Sequence, residues 1–388
     1  MENKTIVAVS KCDEYNAEKI KDIISALIRS SGVDLDELMK DKKKVVIKPN
    51  LVEKCLPERG ATTHPAVLEA VINVFKEYTD DITVAECPGG MNTAGILEGI
   101  FKTTGIKEVC EKCNVTLNYD LTGSAAYLEN GVAIKELNVL KVMQDADVFV
   151  NIGKFKSHSL TTVTGCTKNL YGVIPGLGKM EHHAMFHEVE DFCRLLCDIN
   201  RMMKPDISII DAVTIMDGNG PTAGNARHLG YIAASTSTFA LDDAMCGYVG
   251  IDPLSTPVFA EAKKEGLYSE YELVRVNFDE KDEFKITDFL LPDSKRGSPI
   301  YKLTHLFGGR FSDWISPRPY ISPDRCVGCG ECARICPKNA IIIKQRGKNK
   351  KGKYAVINKN MCIRCYCCQE LCPKKAVDTK TNPLVKLF

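Results

Sequence analysis

Apolar residues along the first 290 positions follow two spacings, that of buried strands and that of amphipathic helices. KKVVIKPN (43–50) reads as a buried strand that ends in a polar loop. HPAVLEAVINVFKEY (64–78) has helical spacing, with Thr63 as its N-cap and Pro65 in the first turn. DADVFVNIGKFKSH (145–158) again predicts a strand followed by a polar loop, and the segment after it, 161–171, predicts a helix.

The same alternation continues to about residue 290, through ITVAECPGG (82–90), PDISIIDAVTIMDGNGP (205–221) and YIAASTSTFALDDAMCGYVG (231–250). Repeated units of strand, loop and helix predict an α/β fold, with a mostly parallel sheet covered by helices. In such sheets, ligands bind at the carboxyl ends of the strands. The predicted walls of a site are therefore the loops at 48–50, 86–90, 154–158 and 217–221.

Composition is typical of a globular protein, with 44% hydrophobic and 26% charged residues. The 51 Lys and Arg balance 50 Asp and Glu, so no overall field favours nucleic acid or an anionic membrane as a partner. No apolar run approaches the roughly 20 residues that span a bilayer. The first residues, MENKTIVAVSKC, lack an apolar signal segment. We therefore expect a cytoplasmic protein with no membrane span and no nucleic-acid partner.

Half of the 18 cysteines lie in the last 63 residues, which favours metal ligation over disulfides. CVGCGECARICP (326–337) has the spacing C-x2-C-x2-C-x3-C-P, and CIRCYCCQELCP (362–373) repeats it when Cys367 is left out. This pair of runs is the signature of a ferredoxin with two [4Fe–4S] clusters, in which each fourth cysteine binds the other cluster. The predicted ligands are Cys326, Cys329, Cys332 and Cys372 for cluster 1, and Cys362, Cys365, Cys368 and Cys336 for cluster 2.

Between the runs, AIIIKQRGKNKKGKYAVINKN (340–360) predicts a hairpin with a basic tip. This tip is either a solvated turn or a docking patch for an acidic electron carrier of the ferredoxin or flavodoxin type. The stretch 291–323 carries five prolines, the only Trp and little periodicity. We therefore divide the chain into an α/β domain (1–290), a connecting segment (291–317) and a small ferredoxin-like α+β domain (318–388).

Four stretches of the large domain resemble an uncharacterised iron–sulfur-centre family, known as domain of unknown function 362. They are KPNLV from Lys48, TTHP from Thr62, NIGKFKSHSLTTVTGCTKNLYGVIPG from Asn151 and MDGNGP from Met216. The resemblance covers roughly residues 1–290 and implies that a two-cluster ferredoxin module often follows. It assigns no reaction, so the function has to be argued from the residues.

Lysines next to buried strands are unusual, because an unpaired ammonium group is costly to desolvate. We predict that some of them bind a small anionic substrate. The predicted catalytic residues are Lys154, Lys156 and His158. His158 could act as an acid or base because imidazole titrates near neutral pH, and a nearby lysine could also donate a proton. The predicted substrate-binding residues are Lys48, Asn50, His64, Lys168, Asn169 and Asn219. For each lysine, the alternative is that it pairs with a carboxylate. For His64, the alternative is that it caps a helix.

His183 and His187 have the spacing of one helical face, with Asp191 a turn further on. The spacing would suit a metal, but we interpret both as core or surface histidines because the metalloprotease motif is absent. No nicotinamide or P-loop signature is present either.

Three functions remain open from the sequence. The first is an oxidoreductase that passes low-potential electrons from the clusters to an organic anion. The second is an electron carrier or adaptor whose large domain docks a partner enzyme. The third is a protein that handles metals or iron–sulfur clusters through spare thiols such as Cys87, Cys166 and Cys367.

Overall fold

The computed structural model describes residues 4–90, 93–294, 317–347 and 352–380. Its strands are β1 (Thr5–Lys11), β2 (Val45–Lys48), β3 (Ile82–Val84), β4 (Thr116–Leu117), β5 (Gly123–Tyr127), β6 (Glu136–Leu140), β7 (Val148–His158), β8 (Thr162–Thr164), β9 (Ile207–Asp217), β10 (Asn225–Ser235), β11 (Tyr271–Arg275), β12 (Arg318–Ile321), β13 (Ile341–Gln345), β14 (Lys353–Ile357) and β15 (Val377–Lys380).

The α-helices of the large domain are α1 (Ala17–Ser30), α2 (Leu35–Met39), α3 (Pro65–Phe75), α4 (Ala94–Thr103), α5 (Ile106–Lys112), α6 (Lys141–Gln144), α7 (Cys166–Asn169), α8 (Gly178–Met185), α9 (Val189–Met203), α10 (Thr238–Tyr248) and α11 (Pro257–Lys264). Two further helices, α12 (Glu331–Arg334) and α13 (Cys367–Glu370), follow the cysteine loops. None of these helices is long and apolar enough to cross a membrane.

The large domain is built on a sheet with the strand order β11-β1-β10-β9-β7-β2-β3-β4, and β8 pairs with the far end of β7. The pairs from β9 through β7, β2 and β3 to β4 are parallel, whereas β10 is antiparallel to both of its neighbours. Separate apolar cores cover the two faces of the sheet. The predicted α/β fold with a mostly parallel, helix-covered sheet is confirmed.

Helix α3 shows how the sequence sets a boundary. The helix begins at Pro65 as predicted, but its N-cap is His64, whose Nδ1 accepts a hydrogen bond from the amide of Ala66. The prediction of Thr63 as the cap was wrong. The Thr63 hydroxyl instead accepts from the amide of Asn50 and donates to the carbonyl of Ile152, which ties the loop to the centre of the sheet.

Strand β7 is longer than predicted. The pattern placed residues 154–158 in a loop, but they continue the strand, and every residue of β7 is buried. The predicted helix at 161–171 is also only partly right, because β8 returns along β7 before α7 and a short 3₁₀ helix begin. A polar strand looks like a loop in sequence, since burial of its lysines depends on partners elsewhere in the chain.

The C-terminal module consists of two small antiparallel pairs, β12–β15 and β13–β14, around its own apolar cluster. The predicted hairpin is formed by β13 and β14, but its basic tip at 348–351 lies outside the described residues. Most of the predicted connecting segment, 295–316, lies outside them as well. Its first residues pack on the large domain, where the Ser294 hydroxyl donates to the Ser159 carbonyl at 2.7 Å.

Candidate functional site

A cavity of about 100 Å³ lies where the C-terminal module meets the large domain. Its floor comes from β7, α7 and the loops after β2 and β3, and its roof comes from the second cysteine run. Five of the predicted site residues line it: Asn50, Lys156, His158, Lys168 and Asn169. The carboxyl-end loops and the ferredoxin-like module thus enclose one chamber.

Lys48 lies behind this wall and is already neutralised. Its ammonium group forms a buried ion pair with Glu86 and donates to Oδ1 of Asn169 at 3.1 Å. The same Oδ1 accepts from the side-chain amide of Asn50 at 2.8 Å. A Cβ on Gly172 would collide with both Lys48 and Glu86, so glycine is required there for this pair to fit. The pair therefore orients the two asparagines.

Lys156 is the least compensated lysine of the wall. It is fully buried, and its ammonium group donates to Oδ1 of Asn50 at 2.6 Å and to the carbonyl of Ala61, with no carboxylate at ion-pair distance in the described chain. Burial, aided by Lys168 and Lys154, lowers the pKa of Lys156 to about 7. An amine that titrates near neutral pH can donate or accept a proton.

Two more lysines of the cavity have no carboxylate partner within the described ranges. The Lys168 ammonium group lies 5.7 Å from the ring centre of Tyr171. Lys179, which is buried, donates to the carbonyl of Cys87. Together with Lys156 they leave the chamber with more ammonium groups than free carboxylates. This arrangement favours an anionic ligand.

His158 connects the two parts of the protein. Its Nδ1 accepts hydrogen bonds from the amides of Leu160 and Thr161 at 3.1 and 3.3 Å, so its proton resides on Nε2. That nitrogen lies 3.0 Å from Oε1 of Glu370 in the second cysteine run, at an angle outside the range of an ordinary hydrogen bond. Burial lowers the pKa of His158 to about 4, which keeps the ring neutral.

Two predicted site residues, His64 and Lys154, form a different cluster beside Tyr15 and Asp211. Lys154 pairs with Asp211 at 2.9 Å and donates to the Tyr15 hydroxyl at 2.9 Å. The His64 ring stacks on Tyr15 with 3.5 Å between ring centres. Asp211 also accepts from the Tyr15 hydroxyl and from the amide of His64. Each of these polar groups has a partner, so the cluster serves the fold rather than the chamber.

Asn219 also lies away from the cavity. It exchanges hydrogen bonds with Asp293 at 2.8 and 2.9 Å and holds the start of the connecting segment. The helix predicted to carry two histidines on one face ends at Met185, so His187 falls outside it and lies exposed beside Glu188. His183 is buried and stacks on Phe192.

The predicted cluster ligands separate into two cavities in the C-terminal module. One is lined by Cys326, Cys329, Cys332 and Cys372, and the other by Cys336, Cys362, Cys365 and Cys368. Each cavity thus takes three cysteines from one run and the fourth from the other, which is the crossed arrangement of two-cluster ferredoxins. None of the cysteines forms a disulfide.

The surroundings of the thiols fit [4Fe–4S] clusters. Backbone amides donate to the sulfurs of Cys326, Cys336 and Cys372 at 3.2–3.4 Å, and such bonds stabilise cluster thiolates. In the described parts of the chain, no three His, Cys, Asp or Glu side chains converge closely enough for a single metal ion. Wider spacing is expected where a cubane separates the sulfurs.

Cys367 occupies the boundary between chamber and cluster. It lines both the cavity of the second cysteine set and the chamber of the large domain. Leu371 and Glu370 of the same run also line the chamber. Through Cys367 the cavity of the second set therefore borders the chamber, whereas no described residue that lines the cavity of the first set also lines the chamber.

Among the chamber residues with ionisable side chains, Glu86, Tyr171, Lys179 and Glu370 were not identified as site residues from the sequence. Glu86 lies in a loop that was predicted to form a wall, but its pairing with Lys48 depends on a contact across 38 positions. Glu370 lies inside a cysteine run whose spacing draws attention to the thiols. Lys179 follows GLG and carries no pattern that distinguishes it from a surface lysine.

Comparisons with known proteins agree with this architecture. A family model described as Domain of unknown function (DUF362) matches residues 45–247, and one described as 4Fe-4S dicluster domain matches residues 325–376. The second match identifies an iron–sulfur protein with [4Fe–4S] clusters and supports a role in electron transport. The thylakoid-associated protein sll1697 of Synechocystis sp. is 28% identical over 262 residues, which are 67% of this chain and 79% of that protein.

One solved structure found by comparison is the lactate racemase apoprotein from Thermoanaerobacterium thermosaccharolyticum. Its TM-score is 0.39 and its identity 16%, over 59% of this chain and 54% of that one. This chain thus spans about half the length of that protein.

Proposed function

The chain belongs to the DUF362 family, whose description assigns no reaction, and from its own residues we propose that it is a ferredoxin-linked oxidoreductase acting on a small organic anion. The observation that carries this proposal is the chamber itself. One of its walls contains the second cysteine run, and the others present three lysines without carboxylate partners among the described residues. An adaptor would have no need for a charged chamber beside a redox centre.

We propose two clusters, one for each cysteine cavity, with the crossed ligands named above. When bound, [4Fe–4S] clusters supply single electrons at low potential. The reducing cytoplasm would suit these sites, since none of the cysteines is paired in a disulfide.

The residues of the chamber have separable roles in this proposal. Lys168 and Lys179 bind the anionic group, and Asn50 and Asn169 orient the rest of the substrate. Lys156 donates a proton, because its pKa of about 7 leaves both protonation states populated at neutral pH. Neutral His158 holds the strand end against Glu370.

The proposed reaction reduces a carbonyl group or an activated C=C bond. It consumes two electrons and two protons for each substrate molecule. The electrons come one at a time from a low-potential carrier protein, which is oxidised. One proton comes from Lys156 and the other from water, and Lys156 is then reprotonated from solvent.

The test uses the anaerobically purified, dithionite-reduced protein. Small carboxylates and phosphate esters with a C=O or C=C group are offered, and reoxidation is followed by the return of visible absorbance, with products identified by mass spectrometry. We expect at least one anion to reoxidise the wild type. Lys156→Met should slow this by about 100-fold or more, the usual contribution of a positioned acid.

Lys135→Met is the matched control, because Lys135 is exposed on the large domain and does not line the chamber. It should behave as wild type, and all three proteins should contain the same iron. Equal rates for Lys156→Met and wild type would refute the catalytic assignment. A wild type inert towards every anion would favour the adaptor.

A further inference from the structure

Charge is distributed very unevenly along this nearly neutral chain. Residues 317–380, which include both cysteine runs, contain 15 Lys and Arg but four Asp and Glu. Residues 1–316 have the opposite balance, with 35 basic and 46 acidic residues. The C-terminal module is therefore a strongly basic body attached to an acidic one, and the overall net charge of +1 conceals it.

Little of this basic charge is used to attach the module to the large domain. Among the described residues, two charged contacts cross between them, Lys375 with Glu53 and His158 with Glu370. Two of the four acids of the module pair within it, Asp378 with Arg325 and Glu331 with Arg334. Among the described residues, attachment to the large domain thus uses one basic side chain of the module, Lys375.

The two cysteine cavities differ in their access to that partner. The cavity of the second set borders the chamber, and Cys367 and Cys368 are buried there. The first set lies at the surface, where Cys329 is exposed and the neighbouring Val327 is 57% exposed. An external protein can approach the first set closely at Cys329, whereas the second set lies beside the chamber through Cys367.

Basic side chains surround the exposed loop of the first set. Lys374 lines that cavity, and Lys353 packs so closely on the loop that a Cβ on Gly328 would lie 2.7 Å from it. Both lysines are exposed and have no carboxylate at ion-pair distance in the described ranges. Arg346 is anchored on the loop, with its guanidinium donating to the carbonyl of Cys326 at 2.6 Å. An apolar centre at Val327 within a basic rim suits a protein surface.

We propose that a small acidic one-electron carrier protein docks on this rim, formed by Val327, Cys329, Arg346, Lys353 and Lys374, and exchanges electrons at the first cysteine set. The physiological purpose of this docking rests on the proposed function. The docking site deepens that function by assigning different roles to the two cysteine sets. The carrier loses one electron at each encounter and two encounters serve one substrate. The second cysteine set, beside the chamber, is the end from which electrons leave.

A membrane or nucleic acid could also attract basic charge, but neither requires it to encircle a redox centre. The basic residues here lie around the exposed cysteine loop. A partner benefits from approaching that loop closely only if it exchanges electrons there. Opposite charge on a carrier would accelerate the encounter by about 10- to 1,000-fold at low salt.

The test measures electron transfer from an acidic flavodoxin, reduced to its hydroquinone, into the oxidised full-length holoprotein by stopped-flow spectroscopy. Lys353→Glu and Lys374→Glu should each slow the second-order rate by about ten-fold or more, and salt should slow the wild type in the same way. Lys135→Glu makes the same charge change on the large domain and should leave the rate unchanged. Reduction by dithionite should be equal in all four proteins.

Equal slowing by the control variant, or rates that do not depend on salt or on Lys353 and Lys374, would overturn the docking site. Tight co-sedimentation with phosphatidylglycerol vesicles that both rim variants abolish, without any effect on flavodoxin rates, would identify a membrane surface instead. The measurement needs no substrate. If the proposed reaction is wrong, flavodoxin still reduces the protein through the rim, and if the rim is wrong, dithionite-driven substrate reduction still proceeds.

Discussion

Oε1 of Glu370 lies 3.0 Å from Nε2 of His158, and the two residues come from different parts of the protein. Glu370 belongs to the second cysteine run, and His158 ends the central strand of the large sheet. Adjacent contacts strengthen the junction: the Ser159 hydroxyl donates to Oε1 of Gln369 at 2.7 Å, and the Thr222 hydroxyl donates to the Glu370 carbonyl at 2.9 Å. These contacts therefore fix the position of the C-terminal module relative to the chamber.

Glu370→Gln should loosen this junction without removing iron. Burial raises the pKa of the Glu370 carboxylate, but His158 and Lys168 outweigh this effect and lower the pKa to about 2, so at neutral pH a charged carboxylate faces a neutral imidazole. An interaction between a neutral donor and a charged acceptor contributes about 1.5–3 kcal/mol in the general case. We expect hydrogen exchange in the 158–166 peptide to accelerate by about ten-fold or more, since 1.4 kcal/mol corresponds to ten-fold. Glu331→Gln is the matched control, because this glutamate of the first run pairs with Arg334 and does not line the chamber.

The crossed cysteine sets predict which variants resemble one another. Cys372→Ala should lose the same paramagnetic signal as Cys326→Ala, and Cys336→Ala the same signal as Cys362→Ala. Iron should fall from about eight to about four per chain in each. Electron paramagnetic resonance of dithionite-reduced samples and iron analysis check both points. Cys367→Ala should keep about eight irons. If the variants of one cysteine run lost the same signal, instead of the variants of one cavity, the assignment would be contradicted.

Anion binding should weaken as pH rises through neutrality. In the empty chamber the pKa of Lys156 is about 7, and a bound anion stabilises the ammonium form and raises that pKa. Above about pH 7, anion binding therefore takes up a proton. The affinity for the anion is constant well below pH 7 and falls as the pH rises above 7. Titration calorimetry in buffers of different ionisation enthalpy measures the proton uptake. Lys156→Met should abolish it, and an affinity that increases with pH would exclude this role for Lys156.

Asp211→Ala should destabilise the large domain strongly. The carboxylate pairs with Lys154 and accepts from Tyr15 and from the amide of His64, all at 2.9 Å. Its removal leaves a buried ammonium group uncompensated, which costs about 3–5 kcal/mol of the free energy of unfolding. Chemical denaturation of the holoprotein measures this. Asp191→Ala breaks a partly exposed pair with Arg194 and should cost about 1 kcal/mol or less. A similar, small loss in both variants would contradict a structural role for the Asp211 cluster.

The sequence predicted the module best, because its information is local. The register C-x2-C-x2-C-x3-C fixes the turns in which thiolates converge, and the second copy allows one choice of four among five cysteines. The strand and helix pattern of the large domain was also readable, since apolar spacing reports directly on burial. The cap of α3 and the length of β7 were not, because both depend on contacts between distant residues.

The sequence alone determined the fold class, the family resemblance and the two candidate cysteine sets. It also indicated that the lysines around KFKSH require compensation. Tertiary structure decided which of them receive it: Glu86 neutralises Lys48 and Asp211 neutralises Lys154, while Lys156 faces the chamber without a carboxylate in the described chain. The reason is physical, since the charge state of a buried group depends on partners that the fold brings from far along the chain. The same holds for Glu370, which closes the chamber from 212 positions beyond His158.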